Sequence, residues 1–265
     1  YIKGMIFMMD YIPENIDIRI TKNKIYRPEK YGNKVKMAEV DNPINIVDIH
    51  KEMGKIEFRK FYNKIGGRNA KDIIFEKTKI PPIAYTYYFL FTRHFKIPDI
   101  EFLCKVYLKR YFTYTDGRYI LNGRSNSFKK SCIYGRICRA YNSFNREVEL
   151  LYDLFKYDDM NFYYDLKKDV YDGIDININY NSKDYGILIY QNSWRAEFYR
   201  KIKSNTRHKF KGINLIPLPA IFKNDFNVKK NIVNYGDIGA FSPVISREIK
   251  NAILSKKSSI DIITT

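Results

Sequence analysis

The alternation of hydrophobic and polar positions changes along the chain. In the first hundred residues, short apolar runs broken by prolines and by Gly66–Gly67 predict mixed short strands and helices. Two denser apolar stretches, Ile83 to Phe95 and Ile100 to Phe112, contain no breakers and predict buried helices. Between Ser143 and Phe155 apolar residues recur at helical spacing, so we predict a helix that Ser143 caps.

Beyond residue 159 the apolar positions alternate with period two, which is typical of strands. We predict three strands, then a basic helix, then a fourth strand, at Phe162 to Leu166, Asp172 to Tyr180, Tyr185 to Gln191, Arg195 to Lys203 and Ile213 to Ile216. A polar turn at residues 181–184 should join the second and third strands into a hairpin. The order helix, strand, strand, strand, helix, strand predicts an α/β (α+β) fold.

The chain of 265 residues is longer than a typical domain, which allows two regions. We predict a mixed or helical N-terminal region over residues 1–141, for recognition or partner binding, and an α/β domain over residues 142–265. Hydrophobic residues at 45% and aromatic residues at 16% favour a folded chain over a disordered one. No stretch approaches the 18 apolar residues of a membrane-spanning helix, so we expect a cytoplasmic protein with no membrane partner.

Cysteine, histidine and short motifs exclude several classes. The three cysteines and three histidines have no zinc-ligand or disulfide spacing, so we expect reduced thiols. The sequence contains no GxxxxGK, GxGxxG, HExxH or GxSxG motif, which argues against an ATPase, a dinucleotide oxidoreductase and a zinc hydrolase.

The formal net charge of +18 points to a polyanionic partner, because basic side chains release counterions from nucleic acid. The alternative is a solvated basic surface that merely reflects a lysine-rich composition. The charge is uneven. Residues 93–139 carry eleven basic and three acidic side chains. The next segment, residues 147–175, reverses the sign with nine acidic and three basic side chains. Residues 195–211 are basic again, with seven basic side chains and one acidic. Carboxylates for a hard cation, flanked by cations for a phosphate backbone, are what a metal-dependent phosphodiester enzyme needs.

The predicted order, with Glu147 on the helix and Asp175 on the second strand, resembles the PD-(D/E)XK nucleases over about residues 143–219. The resemblance implies a restriction-endonuclease-like mixed sheet flanked by helices, and an endonuclease that acts on DNA rather than RNA with Mg²⁺ or Mn²⁺. Glu147 and Asp175 would bind the metal. The third-strand (Glu/Asp)-X-Lys pair falls on Ile189-Tyr190-Gln191 and departs from the family at both positions. Gln191, or Lys203 on the basic helix (with Lys201 as its alternative), would replace the family's lysine.

Three explanations are compatible with the sequence. The chain is a diverged active nuclease, a non-catalytic nucleic-acid-binding or assembly subunit with a degenerate nuclease fold, or an α/β protein whose pattern matches by coincidence. For the first two, a homodimer or a larger nucleoprotein complex is the expected assembly. The predicted nucleic-acid contacts are Arg195, Arg200, Lys201, Arg207, His208, Arg124, Lys129, Lys130 and Arg136.

Overall fold

A mixed α/β arrangement is seen in the computed structural model, which describes residues 16–31, 34–191, 212–223 and 230–255. The strands are β1 (Arg19–Thr21), β2 (Lys24–Tyr31), β3 (Lys34–Asp41), β4 (Phe112–Thr115), β5 (Arg118–Leu121), β6 (Ser127–Phe128), β7 (Asn161–Asp165), β8 (Ile176–Tyr180), β9 (Lys183–Gln191), β10 (Ile213–Ala220), β11 (Ile232–Tyr235) and β12 (Ile238–Phe241). The α-helices are α1 (Ile46–Gly54), α2 (Phe58–Lys64), α3 (Ile73–Lys77), α4 (Ile83–His94), α5 (Ile100–Tyr111), α6 (Lys130–Leu154) and α7 (Val244–Leu254).

The largest sheet in the described residues has seven strands in the order β10-β9-β8-β7-β1-β2-β3. Its neighbours pair antiparallel except β9 and β10, which run parallel. Strands β7, β8 and β9 therefore form a meander that directly follows α6. The described structure thus confirms an α/β fold with a large mixed sheet and helices packed against it.

Helices α4, α5 and α6 pack together and against the sheet, and the core between them is rich in aromatic residues. Tyr88 of α4 stacks on Tyr164 of β7 with 3.9 Å between ring centroids. Tyr87 of α4 contacts Tyr141 of α6 edge to face, at 6.0 Å. All four rings are buried, so their hydroxyl groups need hydrogen-bond partners inside the protein.

The two helices predicted from the dense apolar stretches are confirmed as α4 and α5. The predicted start of α6 is wrong: the helix begins at Lys130, and Ser143 lies inside it rather than at its N-terminus. The physical reason is that the apolar face continues upstream through Ile133, Ile137 and Tyr141, all buried, with no proline between Ile133 and Ser143.

The predicted meander is confirmed, with two changes at its ends. Strand β8 begins at Ile176 rather than Asp172, because residues 168–172 form a single π-helical turn that ends at Gly173 with φ 74°. Strand β9 begins at Lys183, since the hairpin turn needs only two residues, Asn181 and Ser182, both at positive φ. The predicted fourth strand is confirmed as the longer β10.

The predicted division at residue 141 falls in the middle of α6, which continues unbroken to Leu154. Strand β1 also pairs with β7, with Ile20 opposite Tyr164. The N-terminal strands and the meander therefore share one sheet.

Among the described residues, no helix has both the length and the apolar character needed to cross a membrane. The three cysteines are buried and unbridged, as expected.

Candidate functional site

Glu147 lies on the buried side of α6, with 6% of its surface exposed. The hydroxyl of Tyr88 donates a hydrogen bond of 3.2 Å to its Oε2, and the nearby Ser143 side chain, like Tyr88, acts to lower the pKa of the carboxyl group. Burial, and then the negative charge of Asp169, raise the pKa of Glu147 to about 8. The folded protein therefore holds this carboxyl group in its protonated form at neutral pH.

Asp169 is a second carboxylate at this site, and the sequence analysis did not single it out. It sits on the π-helical turn between β7 and β8, where the Tyr164 hydroxyl donates a hydrogen bond of 2.6 Å to its Oδ2. Burial raises the pKa of Asp169 to about 6. Asp169 is half-buried. The Tyr88 hydroxyl binds Glu147, the Tyr164 hydroxyl binds Asp169 and the two rings stack, so the two carboxyl groups form a neighbouring acidic pair.

Asp175 lies immediately before β8 and contacts the third strand of the meander. Its Oδ2 accepts a hydrogen bond of 2.5 Å from the backbone N–H of Ile189, while its own N–H donates to the Ile187 carbonyl at 3.0 Å. The negative charge of Asp175 also helps to raise the pKa of Tyr88, after the larger effects of burial, Glu147 and Asp169. The carboxylate therefore sits beside Ile189, the first residue of the third-strand motif, and acts on the same tyrosine as the acidic pair.

A pocket of about 730 Å³ opens where α6, the C-terminal end of β9 and the β11–β12 hairpin meet. Side chains at positions 139, 142, 143 and 146 line it from one face of α6, because residues three and four apart lie on the same side of a helix. The basic residues of its lining are Arg59, Arg68, Arg139, Arg146 and Lys230. Among the described lining residues Asp237 alone is acidic, and Arg59 pairs with it at 3.2 Å.

Arg146 is the buried basic residue of this pocket, with 7% of its surface exposed. Its Nε donates to the Gly239 carbonyl at 3.3 Å, and its guanidinium carbon lies 5.1 Å from the centroid of the Phe222 ring. Burial lowers the pKa of the guanidinium group, but arginine stays charged in proteins. A buried cation that faces a pocket favours an anionic ligand, because the anion replaces the water that the cation has lost.

The pocket adjoins the predicted catalytic residues through two of its lining side chains. Ser143 lines the pocket and lies beside the Glu147 carboxyl group, and Ile189 lines it and donates its N–H to Asp175. Gln191 lines the pocket directly. Of the four predicted catalytic residues, Gln191 thus lines the pocket, and Glu147 and Asp175 each lie one residue behind its lining. The fourth, Lys203, lies outside the described residues, as does Lys201.

Carboxylates suit Mg²⁺, a hard cation that commonly takes only one or two protein carboxylates and keeps water and substrate phosphate as its other ligands. No group of three or more Asp, Glu, His or Cys side chains surrounds a single point in the described parts of the chain. The residues present fit Mg²⁺ in kind, because burial, and then the charge of Asp169, disfavour the ionised form of Glu147, and a bound cation would favour that form. Glu147 and Asp175 remain the candidate ligands.

The predicted nucleic-acid contacts divide into three groups. Arg124, Lys129 and Lys130 are exposed, as a phosphate contact requires. The Arg136 side chain instead makes hydrogen bonds within the protein. Its Nη1 donates to the carbonyls of Phe75 at 2.8 Å and Thr78 at 2.9 Å, at the end of α3. The remaining predicted contacts lie outside the described residues, namely Arg195, Arg200, Lys201, Arg207 and His208.

The signal that could have found Asp169 is its place in the acidic stretch of residues 147–175, but sequence does not show which of nine carboxylates turns inward. Comparison of the chain with protein-family models, with curated proteins and with solved structures finds no significant match in any of the three.

Proposed function

We propose that the protein is a metal-dependent endonuclease of the PD-(D/E)XK type, which hydrolyses phosphodiester bonds of nucleic acid, DNA rather than RNA. The observation that carries the proposal is that Glu147 and Asp175 each lie directly behind the wall of one basic pocket, Glu147 beside Ser143 and Asp175 beside Ile189. A carboxylate site and a phosphate site are thereby neighbours, as hydrolysis of a phosphodiester needs.

The connectivity also supports a restriction-endonuclease-like fold. Helix α6 carries the acid, the antiparallel strands β7, β8 and β9 follow, and β10 then joins the sheet parallel to β9. Asp175 leads into β8, the second strand of that meander, and Gln191 ends β9, the third. These are the positions on which the resemblance rests.

The residues of the chain would divide the work as follows. Arg146 and its basic neighbours hold the phosphate group in the pocket. Glu147 and Asp175 hold Mg²⁺, which when bound stabilises developing negative charge and lowers the pKa of a water molecule. The Tyr88 hydroxyl fixes the orientation of Glu147, and the amide of Gln191 orients the attacking water from the end of β9. Lys203 is the alternative residue for that last role.

The test is cleavage of supercoiled plasmid, single-stranded DNA and RNA by the purified chain in Mg²⁺, Mn²⁺ or EDTA. We expect metal-dependent cleavage of DNA that falls at least a hundredfold in Asp175→Ala, with binding retained in EDTA. Asp172→Ala removes the same charge from an exposed residue three positions earlier and should cleave within about twofold of the wild type. Equal activity in the two variants would refute the assignment of Asp175.

A second candidate function rests on β9. Ile189 and Gln191 place neither an acid nor a lysine at the third-strand motif, and Glu147 is protonated in the metal-free fold. A non-catalytic subunit that binds nucleic acid through the same pocket would have this composition. It predicts no cleavage in any metal, and unchanged or tighter binding in Asp175→Ala because a negative charge is lost.

An intracellular, nucleic-acid-associated location is part of both proposals. Since one site cuts one strand, cleavage of both strands of a duplex would need a second copy of the chain or a larger nucleoprotein complex. Sedimentation of the protein with and without DNA measures this directly.

A further inference from the structure

The pocket of about 730 Å³ is lined by a basic set of residues, which we call the phosphate wall, and an aromatic set, which we call the base wall. Arg68, Arg139 and Arg146 belong to the first, and the aromatic rings of Phe58, Tyr62 and Phe222 belong to the second. Its volume is within the range of pockets that enclose small organic ligands. Cations beside aromatic rings are the combination that binds a nucleotide, because phosphate and base need one each.

The phosphate wall keeps a positive excess after internal pairing. Arg59 neutralises Asp237, and the guanidinium group of Arg139 is paired with Glu76, which is outside the lining. Arg68 is exposed at the rim, and within the described residues no hydrogen bond or ion pair of its side chain is seen. Arg146 is buried and directs its guanidinium group across Phe222. An incoming phosphate group would thus meet cations at the rim and on the inner wall.

The base wall has an aromatic surface and an unsatisfied acceptor. Phe222 is 41% exposed although it is large and apolar, which leaves ring surface open to stacking. Asn142 lines the same pocket, and its Oδ1 is buried with no hydrogen-bond partner in the described parts of the chain. A buried acceptor without a partner costs free energy, and the N–H groups of a base edge would satisfy it.

A base inside a duplex is stacked and faces away from the backbone, so it cannot enter a concave pocket together with its phosphate. An unpaired nucleotide can. We propose that this pocket binds one unpaired nucleotide of a nucleic-acid strand, with its phosphate on Arg68, Arg139 and Arg146 and its base against Phe222 and Asn142. This inference deepens the proposed function: it names single-stranded or locally unpaired nucleic acid as the substrate class.

The test is fluorescence anisotropy of the full chain with a fluorescein-labelled single-stranded dT12 in EDTA at about 150 mM salt. We expect Arg68→Gln to weaken binding about fivefold and Phe222→Leu about tenfold, since stacking on one aromatic ring contributes that much. Arg247→Gln is the matched control, because Arg247 is also exposed, carries the same charge and lies on α7 outside the pocket. It should change the affinity less than twofold. An unlabelled 12-base-pair duplex should compete at least tenfold less well than dT12.

Three results would overturn the inference: no binding of dT12, equal losses in Arg68→Gln and Arg247→Gln, or a duplex that competes as well as the single strand. EDTA removes any need for catalysis, so this outcome is independent of cleavage. Binding in the pocket without metal-dependent cleavage would refute the nuclease and keep the nucleotide pocket. Metal-dependent cleavage together with unchanged binding in the pocket variants would keep the nuclease and refute the nucleotide pocket.

Discussion

At Glu147, burial and the neighbouring carboxylate of Asp169 act in the same direction, since both favour the protonated acid. Sequence predicted that Glu147 faces a functional site but not that it is buried. The helical spacing of Phe144, Val148 and Leu151 leaves residue 147 at the edge of the apolar face, and only the packing of α4 against α6 decides that it turns inward beside Tyr88. The partner Asp169 comes from a π-helical turn that no periodicity reveals.

The raised pKa of Glu147 gives a pH dependence of stability with a definite sign. The folded state takes up a proton at about pH 8 whereas the unfolded chain does so near 4.5, so the free energy of unfolding falls as pH rises between these values. We expect the wild type to lose on the order of 3 kcal/mol between pH 5.5 and 8.5 in EDTA through this group. Urea unfolding of Glu147→Gln, which mimics the neutral acid, should show a correspondingly flatter profile. Parallel profiles for the two proteins would contradict the assignment.

Arg136 shows how a basic residue that is counted as a surface contact turns out to hold the fold together. Its guanidinium group donates to two carbonyls at the C-terminal end of α3, where intrahelical donors run out. We expect Arg136→Gln to lower the free energy of unfolding by about 1–3 kcal/mol and to leave dT12 affinity within twofold. Arg124→Gln, at an exposed position, should keep its stability within about 0.5 kcal/mol. Chemical denaturation and anisotropy separate the two effects, and a stable Arg136→Gln with weakened binding would restore the original hypothesis.

At the level of elements, α6 is the support on which the site is built. It passes the 3₁₀ turn Gly67–Ala70 closely, since a Cβ atom added at Gly135 would lie 3.0 Å from the Ala70 Cβ and 3.2 Å from its carbonyl oxygen. The close approach brings Arg68 and Arg139 to the same rim of the pocket. Glycine at position 135 is therefore a packing requirement of this crossing.

We expect Gly135→Ala to lower the free energy of unfolding by about 1–3 kcal/mol, because backbone atoms must shift to admit the methyl group. Gly54→Ala is the matched control: it ends α1, nothing lies within 4 Å of its added Cβ, and it should be neutral or stabilising by up to about 1 kcal/mol. Thermal or urea unfolding of both variants measures the difference. Equal stability of the two would show that α6 does not pack this closely.

Sequence predicted the elements that have strong internal patterns. The apolar stretches of α4 and α5 and the alternation around Ile176 and Ile178 were sufficient, because burial on one or both faces imposes those patterns directly. The start of α6 was missed since Ser143 resembles a cap, and a capping residue inside a helix has no local mark that distinguishes it. The pairing of β1 with β7 joins residues more than 140 positions apart, which no local pattern encodes.

At the scale of the molecule, basic side chains are in excess both in the whole sequence, which has a net charge of +18, and in the lining of one pocket, which is rich in arginine. The sequence indicated a polyanionic partner and an acidic stretch, and the structure adds that Ser143 and Ile189 bring that acidity to the wall of the basic pocket. Sequence could not predict the pocket, because α2, α6, β9 and the β11–β12 hairpin contribute to it from distant parts of the chain.

The central claim is that Glu147 and Asp175 hold a divalent cation, and titration of the full chain with Mn²⁺, followed by electron paramagnetic resonance, tests it most directly. The account predicts one Mn²⁺ per chain that tightens as pH rises from 6 to 8, because Glu147 must lose its proton to bind. Asp175→Asn should weaken this binding at least tenfold, and Asp172→Asn should leave it unchanged. Absence of the bound Mn²⁺ in the wild type, or equal affinity in both variants, would contradict the account.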